Sequence, residues 1–320
     1  MLEVQNLRTY YKTNLGSLKA VDGVSFTLQK GEILGLVGES ACGKTTLALS
    51  VVRLLPPAAR VIAGKVMFDG QELLSKTENE MRDIRWKKIS IIFQGALNSL
   101  NPVLTVKEQI SEAILAHEKV GKQDIDERID GLFKAVGLEA TRKGNFPHEF
   151  SGGMKQRVMI AMALACNPEV VIADEPTTAL DVIVQYQILE LIRSLRDKLQ
   201  ISMILITHDL SVVAELCDKI AIMYAGKMVE FGDIFKIFEK PKHPYTRALL
   251  KSIPKMETAK TQLSYIPGAL PDLTGPVPAC RFFGRCPYGQ KICEDTEPQM
   301  EKTDANHSLA CHFWREIEER

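Results

Sequence analysis

Between the apolar run Ile33–Val37 and a stretch that reads as a helix stands Gly38-Glu39-Ser40-Ala41-Cys42-Gly43-Lys44-Thr45. This string restricts the fold more than any other segment. Gly38 and Gly43 permit positive-φ turns that aim successive backbone N–H groups inward. A helix starting near Lys44 adds the positive end of its dipole. Lys44 can then reach the outer phosphates of a nucleotide, and the Thr45 hydroxyl can ligate Mg²⁺. Taken bare, the string could be a glycine-rich turn with a stray lysine. A buried strand before it and a helix after it favour the phosphate reading, and they call for an α/β chain with a parallel sheet.

Three further strings follow in order. Val170-Val171-Ile172-Ala173 runs into Asp174-Glu175, a strand end with two carboxylates. Asp174 is placed to hold Mg²⁺ through water, and Glu175 to deprotonate an attacking water. Met203–Ile206 runs into Thr207-His208-Asp209, so His208 could contact a γ-phosphate. With Ile33–Val37 these are near-continuous apolar runs, as central parallel strands require, and ligands of open α/β sheets bind at such strand ends. Gln94 ends another apolar segment, Ile89–Phe93, within reach of Mg²⁺ or the attacking water. Phe150-Ser151-Gly152-Gly153-Met154 opens a helix with Ser151 as N-cap and exposed N–H groups behind it. That is a second anion site. One ATP sandwiched between the phosphate loop of one subunit and the Ser-Gly-Gly helix of another explains both, and ATP binding would then drive dimerisation. Cys42 has two readings: a thiolate favoured by Lys44 and the helix start, or a small filler residue.

The remaining chain sets boundaries. Residues 2–30 alternate as a strand pair with Val21, Val24, Phe26 and Leu28 on one side. Residues 96–165 turn helical, with Val106, Ile110, Ala113 and Ile114 on one face and Ile129, Leu132, Phe133 and Val136 on another. From about residue 236 prolines punctuate the chain, with one short helix expected at Tyr245 to Ile253 and a separate loop-rich module around it. Lys+Arg and Asp+Glu balance at 40 each, so no global field draws the chain to nucleic acid. The longest apolar run, Val158 to Cys166, falls short of the ~18–20 residues of a membrane span. The start has no signal-peptide core, so a cytosolic protein is expected, with any span supplied by another chain. Cys280, Cys286, Cys293 and Cys311 crowd the last part of the sequence. In a reducing compartment such a cluster points to metal rather than disulfides. No short Cys-x2–4-Cys hook of the zinc kind occurs, and the wider spacing suits an iron–sulfur cluster; zinc and no metal remain as alternatives.

Over residues 1–235 the chain resembles the ATP-binding subunits of ABC transporters. The finer resemblance is to the dipeptide/oligopeptide importers, carried by Phe93-Gln94 with Ser99-Leu100-Asn101-Pro102, by Phe150 to Arg157, and by His243-Pro244-Tyr245-Thr246. The resemblance implies a RecA-like parallel core with an antiparallel β subdomain and an inserted helical subdomain at about 96–165. Residues 236–320 would form the importer-type extension with its cysteine module. It implies ATP bound by Tyr11, Gly38, Ser40, Ala41, Cys42, Gly43, Lys44, Thr45, Thr46 and Gln94. Tyr11 would stack on adenine, a contact worth roughly 1–3 kcal/mol. Mg²⁺ would sit on Thr45, Gln94 and Asp174, with Glu175 and His208 catalytic. Ser151, Gly152, Gly153 and Met154 would serve the partner's ATP, and Asp181 of Ala179-Leu180-Asp181 would speak across the dimer. Some relatives carry a [4Fe–4S] cluster on cysteines placed like these.

The expected partners are a second ABC ATPase subunit, two transmembrane permease subunits that meet Gln94 to Pro102, and indirectly an extracytoplasmic substrate-binding protein. The expected location is the cytoplasmic face of the membrane. Relatives with this tail serve peptides, nickel or oligosaccharides. A soluble ABC ATPase acting on nucleic acid or ribosomes fits less well, since the chain has one cassette, no sustained heptads and no basic stripe. Two departures stand out. Gly95-Ala96 follow Gln94 where many relatives have an acidic residue and proline, and Met154 replaces the usual glutamine.

Overall fold

The near-continuous apolar runs fold as parallel strands, because a strand covered on both faces needs no polar alternation. Strands β3 (Ile33–Val37), β7 (Val170–Asp174) and β8 (Ser202–Ile206) are buried at every position. The computed structural model describes residues 1–95, 99–252 and 266–318, and the chain divides into two units.

The first unit gathers Met1–Thr27, Leu34–Leu74 and Thr207–Arg320. Its antiparallel sheet has the order β2-β1-β4-β5, built from β1 (Leu2–Thr13), β2 (Gly16–Leu28), β4 (Ala59–Phe68) and β5 (Gln71–Glu72). Leu2 stands opposite Phe68 and Tyr11 opposite Ala59. Val21, Val24, Phe26 and Leu28 are all buried. Val21 and Val24 are three apart, and Gly23, at φ 82°, interrupts the period of two between them. The other strands of this unit run β11-β12-β10-β9-β3, with β9 (Lys219–Tyr224), β10 (Lys227–Asp233), β11 (Glu301–Asp304) and β12 (His307–Leu309). β3 and β9 are parallel, whereas β10 is antiparallel to both β9 and β12.

Within this unit, described residues after 236 share a sheet with earlier strands, whereas the composition leads one to expect a loop-rich module apart. β12 adds to the sheet edge at β10, with Glu230 opposite Leu309. Glu230 is fully buried; its carboxylate accepts the N–H groups of Lys242 at 2.9 Å and His243 at 3.1 Å and meets His307 Nε2 at 2.6 Å. Three partners satisfy the buried carboxylate. Helices α1 (Lys44–Val51), α7 (Leu210–Leu216), α8 (Ile234–Glu239), α9 (Pro244–Lys251), α10 (Lys291–Asp295) and α11 (Trp314–Glu318) complete the unit. α9 is the helix expected near Tyr245; Ile253 lies outside the described residues. Proline opens it, and His243 Nδ1 accepts the Tyr245 N–H at 3.1 Å as its cap.

The second unit comprises Leu28–Ile33 and Ser75–Ile206. Its parallel strands run β8-β7-β6, with β6 at Ile89–Ile92. Ile92 stands opposite Ala173, and Asp174 opposite Ile206. Helices α2 (Glu78–Ile84) and α3 (Val106–Leu115) each begin with a reciprocal capping box, Thr77 with Glu80 and Thr105 with Glu108. The expected faces are buried: Val106, Ile110, Ala113 and Ile114 on α3, and Ile129 and Phe133 on α4 (Lys122–Ala135), with Val136 just beyond. Leu132 is only half-buried. α5 (Gly152–Ala163) and α6 (Val182–Leu199) follow. The Trp86 indole N–H donates to the Met162 carbonyl at 2.7 Å, tying α5 to the turn before β6. Among the described residues no helix is long and apolar enough to cross a membrane.

Candidate functional site

In the first unit, β3 delivers the chain into the glycine loop and α1 receives it. Gly38 has φ 156°, and a Cβ there would stand 2.1 Å from the Met223 carbonyl oxygen of β9. Gly43 has φ 104°, and its Cβ would stand 2.1 Å from the Ala20 carbonyl oxygen. Both glycines are fixed by close backbone approach as well as by conformation. Gly43 caps α1 without a side-chain hydrogen bond, so the first-turn N–H groups of α1 have no side-chain acceptor at the cap. Lys44 is buried, and its Nζ donates to the carbonyls of Gly38 at 2.7 Å and Glu39 at 3.0 Å. The ammonium thus lies over the loop that carries it.

Ser40, Ala41 and Thr45 are exposed. Tyr11 Oη lies 3.2 Å from Thr46 Oγ1, which sets the ring of Tyr11 beside the start of α1. Cys42 is fully buried, and burial pushes its thiol pKa up despite Lys44 nearby. Of its two readings, the filler is the one its surroundings fit. Thr207 donates its N–H to the Leu36 carbonyl at 3.4 Å, which brings exposed His208 to the end of β3.

In the second unit, β7 ends in buried Asp174 and then in Glu175, whose φ is 48°. A non-glycine residue in that region carries strain that its surroundings must sustain. The Glu175 N–H donates to the Ile206 carbonyl at 2.8 Å. Its Oε2 accepts from Gln94 Nε2 at 2.8 Å and from Thr178 Oγ1 at 2.9 Å. The carboxylate is thereby aimed by two neutral donors. Gln94 was expected near this site from sequence; Thr178 was not, and its spacing three residues after Glu175 is the only local sign. Asp181 caps α6 by accepting the Val184 N–H at 3.0 Å.

Ser151 accepts the Met154 N–H at 3.4 Å and starts α5 as its N-cap. Gly153 leaves room for α6, since a Cβ there would stand 2.5 Å from Val184 Cγ1. Arg142, which sequence reasoning missed, organises this turn. Its guanidinium lies 5.0 Å from the Phe150 ring centroid, donates to the Glu149 carbonyl at 2.8 Å and reaches Met154 Sδ at 3.3 Å. The segment expected to meet a membrane partner, Gln94 to Pro102, includes 96–98, which lie outside the described residues.

A buried strand, a glycine loop with an inward lysine, a carboxylate pair at a second strand end and a Ser-Gly-Gly helix start are thus all formed as elements. A family model described as ABC transporter matches residues 21–178, and one described as the C-terminal region of oligopeptide/dipeptide transporters matches residues 229–293. The dipeptide transport ATP-binding protein DppD of Bacillus subtilis (strain 168) is 46% identical over 314 residues, spanning 97% of this chain and 94% of its own. The chain belongs to the peptide-transporter branch of the ABC ATPases.

The oligopeptide transport ATP-binding protein OppD of the same organism is 46% identical over 96% of this ABC ATPase and 87% of its own length. A dimeric, post-hydrolysis ATP-binding cassette bound to ADP and Pi superposes with TM-score 0.66 at 27% identity, covering 73% of this chain and 99% of that one. The cbiO1 protein of Clostridium perfringens, part of an ABC transporter complex, gives 0.65 at 28% identity over 75% and 90%.

The C-terminal cysteines of this ABC ATPase are free thiols that line one small cavity together with His243, Phe282 and Phe313. Burial pushes the thiol pKa of Cys280 up to about 11 and of Cys311 up to about 12, and the neighbouring cysteines push in the same direction. Four soft donors around an apolar cavity are the donor set of an iron–sulfur cluster. Among the described residues no three His, Cys, Asp or Glu groups stand close enough to hold a metal ion. That finding supports neither the iron–sulfur reading of these cysteines nor its zinc alternative.

Proposed function

We propose that this ABC ATPase drives the import of dipeptides or oligopeptides. It would work at the cytoplasmic face of the membrane, bound to two permease subunits and paired with a second ATPase subunit. The single observation that carries the peptide cargo is end-to-end similarity to peptide-transport ATP-binding proteins, which includes the C-terminal region matched at residues 229–293. The loop Gly38–Thr45, with Ser40, Ala41, Cys42 and Thr46, would cradle the phosphates, and Tyr11 would face the adenine. By this reading Thr45, Gln94 and Asp174 would supply oxygen donors to Mg²⁺, which would screen the phosphate charge. Ser151, Gly152, Gly153 and Met154 would meet the nucleotide of the companion subunit, with Asp181 at the same junction. By this reading residues 1–235 form the ATPase body and 236–320 its importer-type extension.

In this mechanism Glu175 takes a proton from the attacking water while Gln94 and Thr178 hold its carboxylate in one orientation. His208 orients the γ-phosphate. ATP closes the dimer, and loss of the γ-phosphate removes the charge that bridges it. The Glu175→Gln variant should bind ATP normally, dimerise with it and lose nearly all turnover. Normal turnover in that variant would remove Glu175 as the base. For cargo, ATP hydrolysis by the reconstituted complex should rise with loaded peptide receptor and not with nickel or sugar receptors.

Cys280, Cys286, Cys293 and Cys311 would hold a [4Fe–4S] cluster that keeps this segment folded or senses redox state. Its support is the four free thiols on one cavity, and iron with acid-labile sulfide in anaerobically purified protein tests it. Zinc without sulfide would end that reading.

A further inference from the structure

Glu39 lies inside the phosphate loop, one residue after Gly38, and each of its polar groups is engaged. Its carbonyl accepts from Lys44 Nζ at 3.0 Å. Its N–H donates to Tyr245 Oη at 3.0 Å, and its carboxylate accepts from Arg285 at 2.8 Å. Both latter partners come from the C-terminal segment, 206 and 246 residues further along the chain. Tyr245 is fully buried against the rings of Tyr224 and Phe282. The Arg285 side chain is 8% exposed and is itself fixed, donating to the carbonyls of Pro267 and Ile266 at 2.9 Å each and to Tyr224 Oη at 3.2 Å. A charged fork held at its other donors presents a rigid contact rather than a floppy surface pair.

We propose that Arg285 and Tyr245 are positioning residues for the phosphate loop, acting through Glu39. The inference rests on the reading of residues 38–45 as the loop that binds nucleotide phosphates. Pinning Glu39 at its amide and carboxylate fixes the peptide plane whose carbonyl holds Lys44. The loop N–H groups and the lysine are then set before a phosphate arrives, so less ordering is left to binding. These contacts are the same with substrate or product, so their loss weakens nucleotide binding uniformly and raises KM for ATP while kcat changes little.

The test is MgADP affinity of the full chain by calorimetry, beside its melting temperature, for Arg285→Ala, Arg285→Lys, Tyr245→Phe, Glu39→Gln and the Arg285→Ala/Glu39→Gln pair, with Lys44→Ala as reference. Arg285→Ala and Glu39→Gln should each weaken MgADP about tenfold, and the pair no more than Arg285→Ala alone, since coupled sites are non-additive. Arg285→Lys should recover part of the loss. Tyr245→Phe keeps the ring packing and removes only the hydroxyl, so it carries the test if Arg285→Ala does not fold. Unchanged affinity in Arg285→Ala or Tyr245→Phe, with binding lost in Lys44→Ala, overturns the positioning role. Losses that multiply in the pair overturn it as well. Unchanged affinity in Lys44→Ala instead overturns the phosphate-loop reading beneath it.

Discussion

Replacing Asp22 by asparagine separates charge from packing as the bond between the C-terminal segment and the N-terminal sheet. Asp22 Oδ1 accepts from Tyr10 Oη at 2.8 Å and Arg8 at 2.9 Å, while Oδ2 meets Arg281 and, at 3.3 Å, Lys227. Burial works to raise its pKa, but the Tyr10 hydroxyl and the charges of Lys227 and Arg281 outweigh it and hold the carboxyl below its ordinary value. Asparagine keeps the shape and loses the charge. The Arg281 side chain, 3% exposed, is then left facing the carbonyls of Ala225 and Lys19. Breaking a buried pair from one side costs about 3–5 kcal/mol.

The opposite cut is milder. Arg281→Met leaves Asp22 with Tyr10, Arg8 and Lys227, so about 1–3 kcal/mol is expected. Urea denaturation at neutral pH, followed by circular dichroism, reads both. The Asp22 contribution is present above the ordinary carboxylate pKa of 3.8 and is lost as pH falls through the lower folded value. The asparagine variant should therefore lack that share of acid sensitivity. If Asp22→Asn stays within about 1 kcal/mol of the parent, or Arg281→Met is the costlier change, the ion cluster is not what holds the segment and the reasoning fails.

Thr178→Ala should leave ATP affinity intact and lower turnover about tenfold, because Glu175 loses a donor that aims it; single-turnover hydrolysis at saturating ATP checks it, and unchanged turnover would remove Thr178 from the site. His243 is fully buried with its pKa driven from 6.5 to about 4 by desolvation, the Glu230 charge opposing. Its neutral form is the one folded, so stability is full above pH 6.5 and falls by about 3 kcal/mol as pH drops towards 4. His243→Asn, which keeps a cap for α9, should flatten the urea midpoint over that window, and a parallel pH profile would refute the assignment.

The parts of the site that depend on neighbours in sequence were legible. A five-residue apolar run before a glycine loop makes a buried strand and a turn, and Asp174-Glu175 at the end of another such run makes a carboxylate pair. Ser151 reads as a helix cap for the same local reason, and the cap forms. What sequence could not give depends on distant pairs. Nothing near Arg285 announces Glu39, and nothing near Leu309 announces Glu230. The proline-rich composition after residue 236 reads as a separate module because composition is blind to a three-residue strand that joins a sheet. Cys42 shows the same limit: the charge beside it is visible in sequence, whereas the full burial that outweighs it is not.

The first unit is assembled from both ends of the chain, and this has a consequence for its synthesis. Asp22 and Arg281 are 259 residues apart, and Glu39 and Arg285 are 246 apart. While a ribosome is still making the second unit, the N-terminal sheet and glycine loop have been made without the partners that fix them. Closure over so long a separation comes late. The second unit, whose strands and helices between Ser75 and Ile206 are contiguous in sequence, can fold while the first waits, since domains fold as they emerge. Pulse proteolysis of stalled nascent chains should find 75–206 protected before residues 281–309 have left the ribosome, and 1–74 protected only afterwards. Early protection of 1–74 would refute this order.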